Sequence, residues 1–373
     1  MSTFTRLIAV AMIAFPGCGL AWWLAAKQFL LAYLAAVLLP WSVSVGSIGL
    51  LLIYSLTGGR WGQAAWPWLA MNARLMPLVA VLFIPVLLGS SQVYPWANSD
   101  LLQQFDHTEN RQWFYQVPFF VGRSMFYFVV WSILAWISTV GLGRGYESRA
   151  TGHVTSSPTS QPLAGLGAIA LLLTITWAGI DWVMSFDPFF GSTLFGALLG
   201  MGAILAAMSA AVAAVCFWSP LSDCSADDKT ISDLAGLLLA FLMLWAYFSF
   251  AHFLIMWMGD LPIESRFYAV RTVGVWSLIS PMLAVGGFVV PFLCLLSYRF
   301  KRSPKMIGTL ALGLLLMRTI ELWWMVLPAD GQTTATSLPW AILPTTIAVV
   351  TTYVAGLSWL AERRENGVIS HVA

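Results

Sequence analysis

The chain has 373 residues, of which 59% are hydrophobic and 9% charged, with a formal net charge of +2 and a mean hydropathy of +0.81. A soluble domain carries roughly 25% charged residues, so composition excludes a soluble globular protein and predicts an integral membrane protein bathed in lipid. So small a net charge singles out no charged partner, and no nucleic acid is expected.

Read in chain order, the sequence offers about ten apolar runs near the length of about 20 residues that a spanning helix needs. They are Leu7 to Leu24, Phe29 to Leu56, Leu69 to Leu88, Val117 to Gly141, Leu163 to Met184, Leu194 to Trp218, Asp233 to Met258, Val270 to Tyr298, Met306 to Leu327 and Trp340 to Ala361. The first follows Arg6 and ends near Phe15-Pro16-Gly17-Cys18. It is too long for a signal-peptide core and reads as a retained span. Turn chemistry such as Thr57-Gly58-Gly59 and Ser156-Ser157-Pro158 separates the runs. The longest gap, Gly89 to Gln116, has room for a short interfacial helix at Ser99 to Phe105.

Lys and Arg counts set the orientation. Arg6, Arg60, Arg74, Arg144, Arg149, Lys229, Arg299, Lys301, Arg302, Lys305, Arg363 and Arg364 share the side of both termini. The other side has Lys27, Arg111, Arg266 and Arg271, with Arg123 just inside a helix. Both termini are therefore expected in the cytoplasm.

The most informative residues are two acids inside apolar runs, Asp181 and Glu321, each followed by a proline at the same interval, Pro188 and Pro328. A carboxylate at membrane depth costs roughly 3 kcal/mol or more on insertion scales, so it usually has a task. The two acid-bearing runs are the fifth and the ninth, so they point the same way. A parallel repeat follows: residues 1–28 form a first helix, 29–190 one four-helix bundle, 191–328 a second, and 329–373 the tenth helix with its tail. Arg123-Ser124 and Arg271-Thr272, opening the fourth and eighth runs, give a weaker echo of it.

Arg318 and Glu321 are three apart and share a helix face, about 18 Å and 22 Å in from Met306. They read as a structural ion pair or as part of a proton relay. Thr174, Trp177, Asp181 and Ser185 fall on one predicted stripe. Trp245, Ser249 and His252 make a second, in which His252 is either a satisfied core residue or a proton carrier near neutral pH. Arg123 either snorkels to the surface or holds Asp181 ionised. Asp187, before Pro188, reads as a cap or an interfacial acid. Asp260 and Glu264 lie where an exit route would open, and Asp223, Asp227, Asp228 and Asp233 read as a solvated loop.

The chain is poor in cofactor ligands. Its four cysteines, Cys18, Cys216, Cys224 and Cys294, form no C-x-x-C and no C-x-x-C-H, which argues against an iron–sulfur site or covalent haem. His107, His153 and His371 fall in expected loops or the tail, leaving His252 without the second histidine that a membrane haem b needs. No haem, no metal and no cofactor held by its own ligands is expected.

The phrase Gly179-Ile180-Asp181-Trp182-Val183-Met184-Ser185-Phe186-Asp187-Pro188, then Ser192-Thr193-Leu194-Phe195-Gly196, resembles the ActF-type membrane subunits of alternative complex III. So do Tyr94-Pro95-Trp96-Ala97, Val117 through Arg123, Asp233-Leu234 through Trp245-Ala246-Tyr247-Phe248, and Arg318-Thr319-Ile320-Glu321-Leu322-Trp323-Trp324. The wider family is that of NrfD and PsrC-like subunits, with two four-helix bundles flanked by outer helices. The resemblance implies a subunit of a bacterial respiratory quinol-oxidising complex in the cytoplasmic membrane, without a redox centre of its own. Its implied partners are a sister NrfD-like quinol-binding subunit, iron–sulfur and multihaem cytochrome c subunits, and a terminal cytochrome c oxidase. Menaquinol and ubiquinol are both open as the quinol.

In that family the quinol-oxidising subunit uses a histidine and an aspartate near the outer face. Here Asp181 matches the aspartate, but the fourth run has Arg123 and no histidine. What the resemblance then implies is proton translocation through Asp181, His252, Arg318 and Glu321, aided by Ser185 and Ser249, together with assembly of the complex. A quinone-binding redox subunit of PsrC type is the alternative, with Asp181, Arg123, Trp182 and Asp187 forming an outer-face polar site. A stand-alone secondary transporter is a second, and a purely structural anchor a third.

Overall fold

The computed structural model describes residues 3–97, 114–141, 160–188, 190–218, 228–330 and 340–365. No strand occurs among them, and nine helices are long and apolar enough to cross a membrane. In hydrocarbon no water satisfies backbone N–H and C=O groups, so an apolar run of this length closes its own hydrogen bonds as a helix. The nine are α1 (Thr3–Thr57), α2 (Arg60–Leu88), α3 (Val117–Val140), α4 (Gln161–Phe186), α5 (Phe195–Phe217), α6 (Asp228–Gly259), α7 (Trp276–Leu296), α8 (Pro304–Val326) and α9 (Ile342–Arg364).

The first two expected runs are two helices that meet at a kink, numbered together here as α1. Its backbone leaves helical values at Ala25 (φ −152°, ψ 68°), where the two runs meet, and Ala25–Thr57 is the membrane-length part. α2 starts at Arg60, well before the apolar run at Leu69, and breaks at Leu75 into Arg60–Arg74 and Met76–Leu88. Pro77 explains the break, because it has no N–H for Ala73 and its ring clashes with that carbonyl. α7 starts only at Trp276, and the stretch before it, predicted as helix from Val270, is a turn with Gly274 at positive φ. The expected short helix at Ser99 to Phe105 lies outside the described residues. So do His107, His153 and His371.

Packing closes two rings. α1, α2, α3 and α4 each touch the next, and α4 returns to α1; α5, α6, α7 and α8 do the same, with α8 returning to α5. α1 and α5 join the rings, with 89% and 83% of their apolar stretches buried against 22% for α7. Their backbones come close at Gly46, where a Cβ would stand 2.1 Å from the Ala203 carbonyl oxygen. Small residues allow such approaches where no hydrophobic effect drives helices together. α9 packs along α1 and is tied in by Tyr353, whose hydroxyl donates to Asn72 Oδ1 (2.8 Å) and lies 2.9 Å from Ser44 Oγ.

The rings share two further details. Each acid-bearing helix stops short of its proline and ends in a 3-10 turn, Met184–Phe186 after α4 and Leu327–Asp330 after α8. Five-residue π segments lie at the end of α3, Ile137–Gly141, and inside α7, Val285–Val289. The interval from Arg123 to Ile137 equals that from Arg271 to Val285.

Candidate functional site

Asp181 stands in the last turn of α4, 1% exposed. Arg123, near the start of α3, meets it bidentately, donating from Nε to Oδ2 (2.9 Å) and from Nη2 to Oδ1 (2.8 Å). Such forked, charge-assisted pairs are among the strong hydrogen bonds. Tyr127, one turn further along α3, donates to Oδ2 at 2.7 Å. The guanidinium also donates to the Phe114 carbonyl and lies over the Phe114 and Phe119 rings. Arg123 therefore does not snorkel; its guanidinium is committed to Asp181. With both oxygens engaged and almost no exposure, Asp181 presents no open edge here to a quinol head group.

The other members of the phrase do structural work. Trp182 donates through Nε1 to Ser124 Oγ (3.0 Å), and its carbonyl accepts from the Tyr94 hydroxyl (3.0 Å). Its ring packs on Trp41 and Trp131, each 5.6 Å away. The Ser185 hydroxyl donates to the Asp181 backbone carbonyl (2.6 Å), not to the carboxylate. Thr174 is buried and accepts from Trp131 Nε1. Trp177 does not join this stripe: it is half exposed, on the outer face of α4.

The second centre lies where the rings meet. Arg318 donates from Nη1 to Glu321 Oε2 (2.8 Å) and from Nη2 to the Leu199 carbonyl (3.3 Å), with Ser42 Oγ at 3.5 Å. Trp245 of α6 donates through Nε1 to Glu321 Oε1 (3.0 Å). One pair thus touches α1, α5, α6 and α8. Glu321 lies about 8 Å in from the end of α8 and is 5% exposed.

Along α6, Trp245, Ser249 and His252 succeed one another at intervals of about 6 Å and 4.5 Å. Ser249 Oγ, His252 Nε2 and Arg318 Nε are buried with no hydrogen-bond partner among the described residues. Buried polar atoms normally have partners, so these three stand out. His252 is fully enclosed. Its Nδ1 lies 2.6 Å from the hydroxyl of Tyr268, a residue of the two-turn helix Pro262–Ala269, and Phe190, Phe195 and Phe267 surround its ring. Burial pushes the Tyr268 phenol well above its ordinary pKa, against the pull of Arg271, so it stays protonated and able to donate.

Arg271, noted in the sequence only as an echo of Arg123, proves to be a buried tie. It donates to the carbonyls of Trp324 (2.9 Å), Met325 (2.7 Å) and Phe267, and its guanidinium lies over the Phe267 ring. Asp187 sits in the turn after α4, part exposed, with Arg266 3.9 Å away. No group of three or more His, Cys, Asp or Glu residues among those described could hold a metal ion. Among the described residues no hydrogen bond joins the Asp181 centre directly to the Glu321 centre.

These features define an all-α, multi-pass membrane protein with two buried carboxylate–guanidinium centres. No protein-family model matches the chain, and no curated protein matches it.

Proposed function

We propose that this chain is a membrane subunit of a bacterial respiratory quinol-oxidising complex of the alternative complex III type, lying in the cytoplasmic membrane with both termini inside. It contributes a proton path and a scaffold, and does not turn over by itself. The ActF-like phrases around Asp181 and Glu321 support the class. Quinol oxidation then belongs to a sister subunit, and iron–sulfur and multihaem cytochrome c subunits carry the electrons to a terminal oxidase.

One observation carries the proton reading. Ser249 and His252 on α6, and Arg318 beside Glu321, carry buried polar atoms with no hydrogen-bond partner among the described residues. Water at these atoms would link the histidine to the carboxylate. Arg318 has other acceptors in Leu199 O and Ser42, so Glu321 can take up a proton without leaving the guanidinium without hydrogen bonds. Asp181, clamped by Arg123 and Tyr127, is the fixed partner: it pins α3 to α4.

The test uses the intact complex in liposomes. Glu321→Gln is expected to leave quinol turnover largely intact while sharply reducing the protons moved per electron. Unchanged proton movement in Glu321→Gln and in His252→Gln alike would leave the chain a structural anchor.

A further inference from the structure

On the outside of the second ring, between α7 and α8, lies a groove of about 470 Å3. Gly286, Val290, Leu310, Gly313 and Met317 wall it, and Lys305 stands at one end. From Lys305 to Met317 the groove follows α8 for about 18 Å. One leaflet of a bilayer is about 15 Å of hydrocarbon, half of the usual 30 Å. The groove is therefore about as deep as one acyl chain is long.

Its mouth is basic. Arg299, Lys301, Arg302 and Lys305 crowd into the turn between α7 and α8, and all but half-buried Lys301 are exposed. The sequence has no carboxylate from Ser265 to Ile320 to balance them. Among the described residues none of the four enters an ion pair; Arg302 instead lies 4.4 Å over the Tyr298 ring. Cations that enter no ion pair among the described residues, at the end of an apolar groove one leaflet deep, suit an amphiphile with an anionic head. Basic pockets between membrane helices recognise such headgroups.

We propose that this groove binds an anionic phospholipid, its phosphate at Lys305 and the neighbouring arginines and one acyl chain lying along α8 as far as Met317. That chain end would cover the flank of the π segment at Gly286 and lie one residue from Arg318.

Native mass spectrometry of the delipidated full-length chain in detergent, with phosphatidylglycerol or phosphatidylcholine of the same acyl chains added, tests this. Phosphatidylglycerol is expected to bind at least about fivefold more tightly than phosphatidylcholine, and Lys305→Gln to remove about that factor while Lys305→Arg keeps it. A Cβ at Gly313 meets nothing within 4 Å, so the side chain of Gly313→Phe starts in open space, should obstruct the groove and should abolish the adduct. Equal binding of the two lipids, phosphatidylglycerol binding untouched by both Lys305→Gln and Gly313→Phe, or a quinone retained in place of phospholipid would each overturn the proposal.

Discussion

Gly202 decides whether the second centre can exist. A Cβ at that position would lie 2.2 Å from Arg318 Nη1 and 2.5 Å from its Cζ. The missing side chain is the space that the guanidinium occupies. Gly202→Ala should expel Arg318 and leave Glu321 with Trp245 alone. Breaking one side of a buried pair costs about 3–5 kcal/mol, so a clear fall in the thermal midpoint of the purified chain is expected. Gly236→Ala, at a site where a Cβ meets nothing within 4 Å, should shift it little, within about 0.5 kcal/mol. The sequence exposed the pairing of Arg318 with Glu321, because three residues on one helix is a local relation. It could not expose Gly202, Trp245 or Leu199, which come from helices distant along the chain. Tyr127 was within reach, lying one turn after Arg123, but no local signal distinguishes it from the other aromatics of that run.

Among the elements, α1 and α5 form the hinge between the two rings, and their contact rests on backbone approaching backbone. At Gly46 the obstacle to any side chain is the Ala203 carbonyl, which cannot rotate away. Gly46→Leu is therefore predicted to force the two helices apart, at a cost of more than about 3 kcal/mol, the upper end for overpacked cores. Its melting midpoint should fall below that of Gly49→Ala, where the nearest atom is a flexible leucine methyl 3.3 Å away. The apolar runs placed every one of the nine helices because length and hydropathy are what a membrane selects. They misplaced the starts of α2 and α7. At Arg60 an amphipathic stretch continues the helix beyond the oil, and at Val270–Gly274 an apolar stretch turns in order to aim Arg271. The π segments left no mark in hydropathy, since an extra residue per turn changes geometry and not composition. Trp177 was assigned to the polar stripe by spacing alone, and the packing of α4 turned it outward.

Across the whole molecule, the two rings repeat a plan and then diverge. Each presents an arginine to the end of its fourth helix, Arg123 from the first turns of α3 and Arg271 from just before α7. In the first ring that arginine holds the acid; in the second, Arg271 ties down backbone carbonyls, and Glu321 takes Arg318 from its own helix. The spacing of acids and prolines made this plan legible. The divergence was not, because it depends on which buried atoms find partners across the ring. In the second ring Ser249, His252 and Arg318 carry buried polar atoms without a partner among the described residues, and the proposed proton traffic runs there. The most direct measurement is infrared difference spectroscopy of the purified chain, stepped in pH and repeated in D2O. The account predicts a protonating carboxyl band that shifts in D2O, disappears in Glu321→Gln and persists in Asp181→Asn. A chain with no titrating carboxyl band, or one whose band survives Glu321→Gln and is lost only in Asp181→Asn, would contradict it.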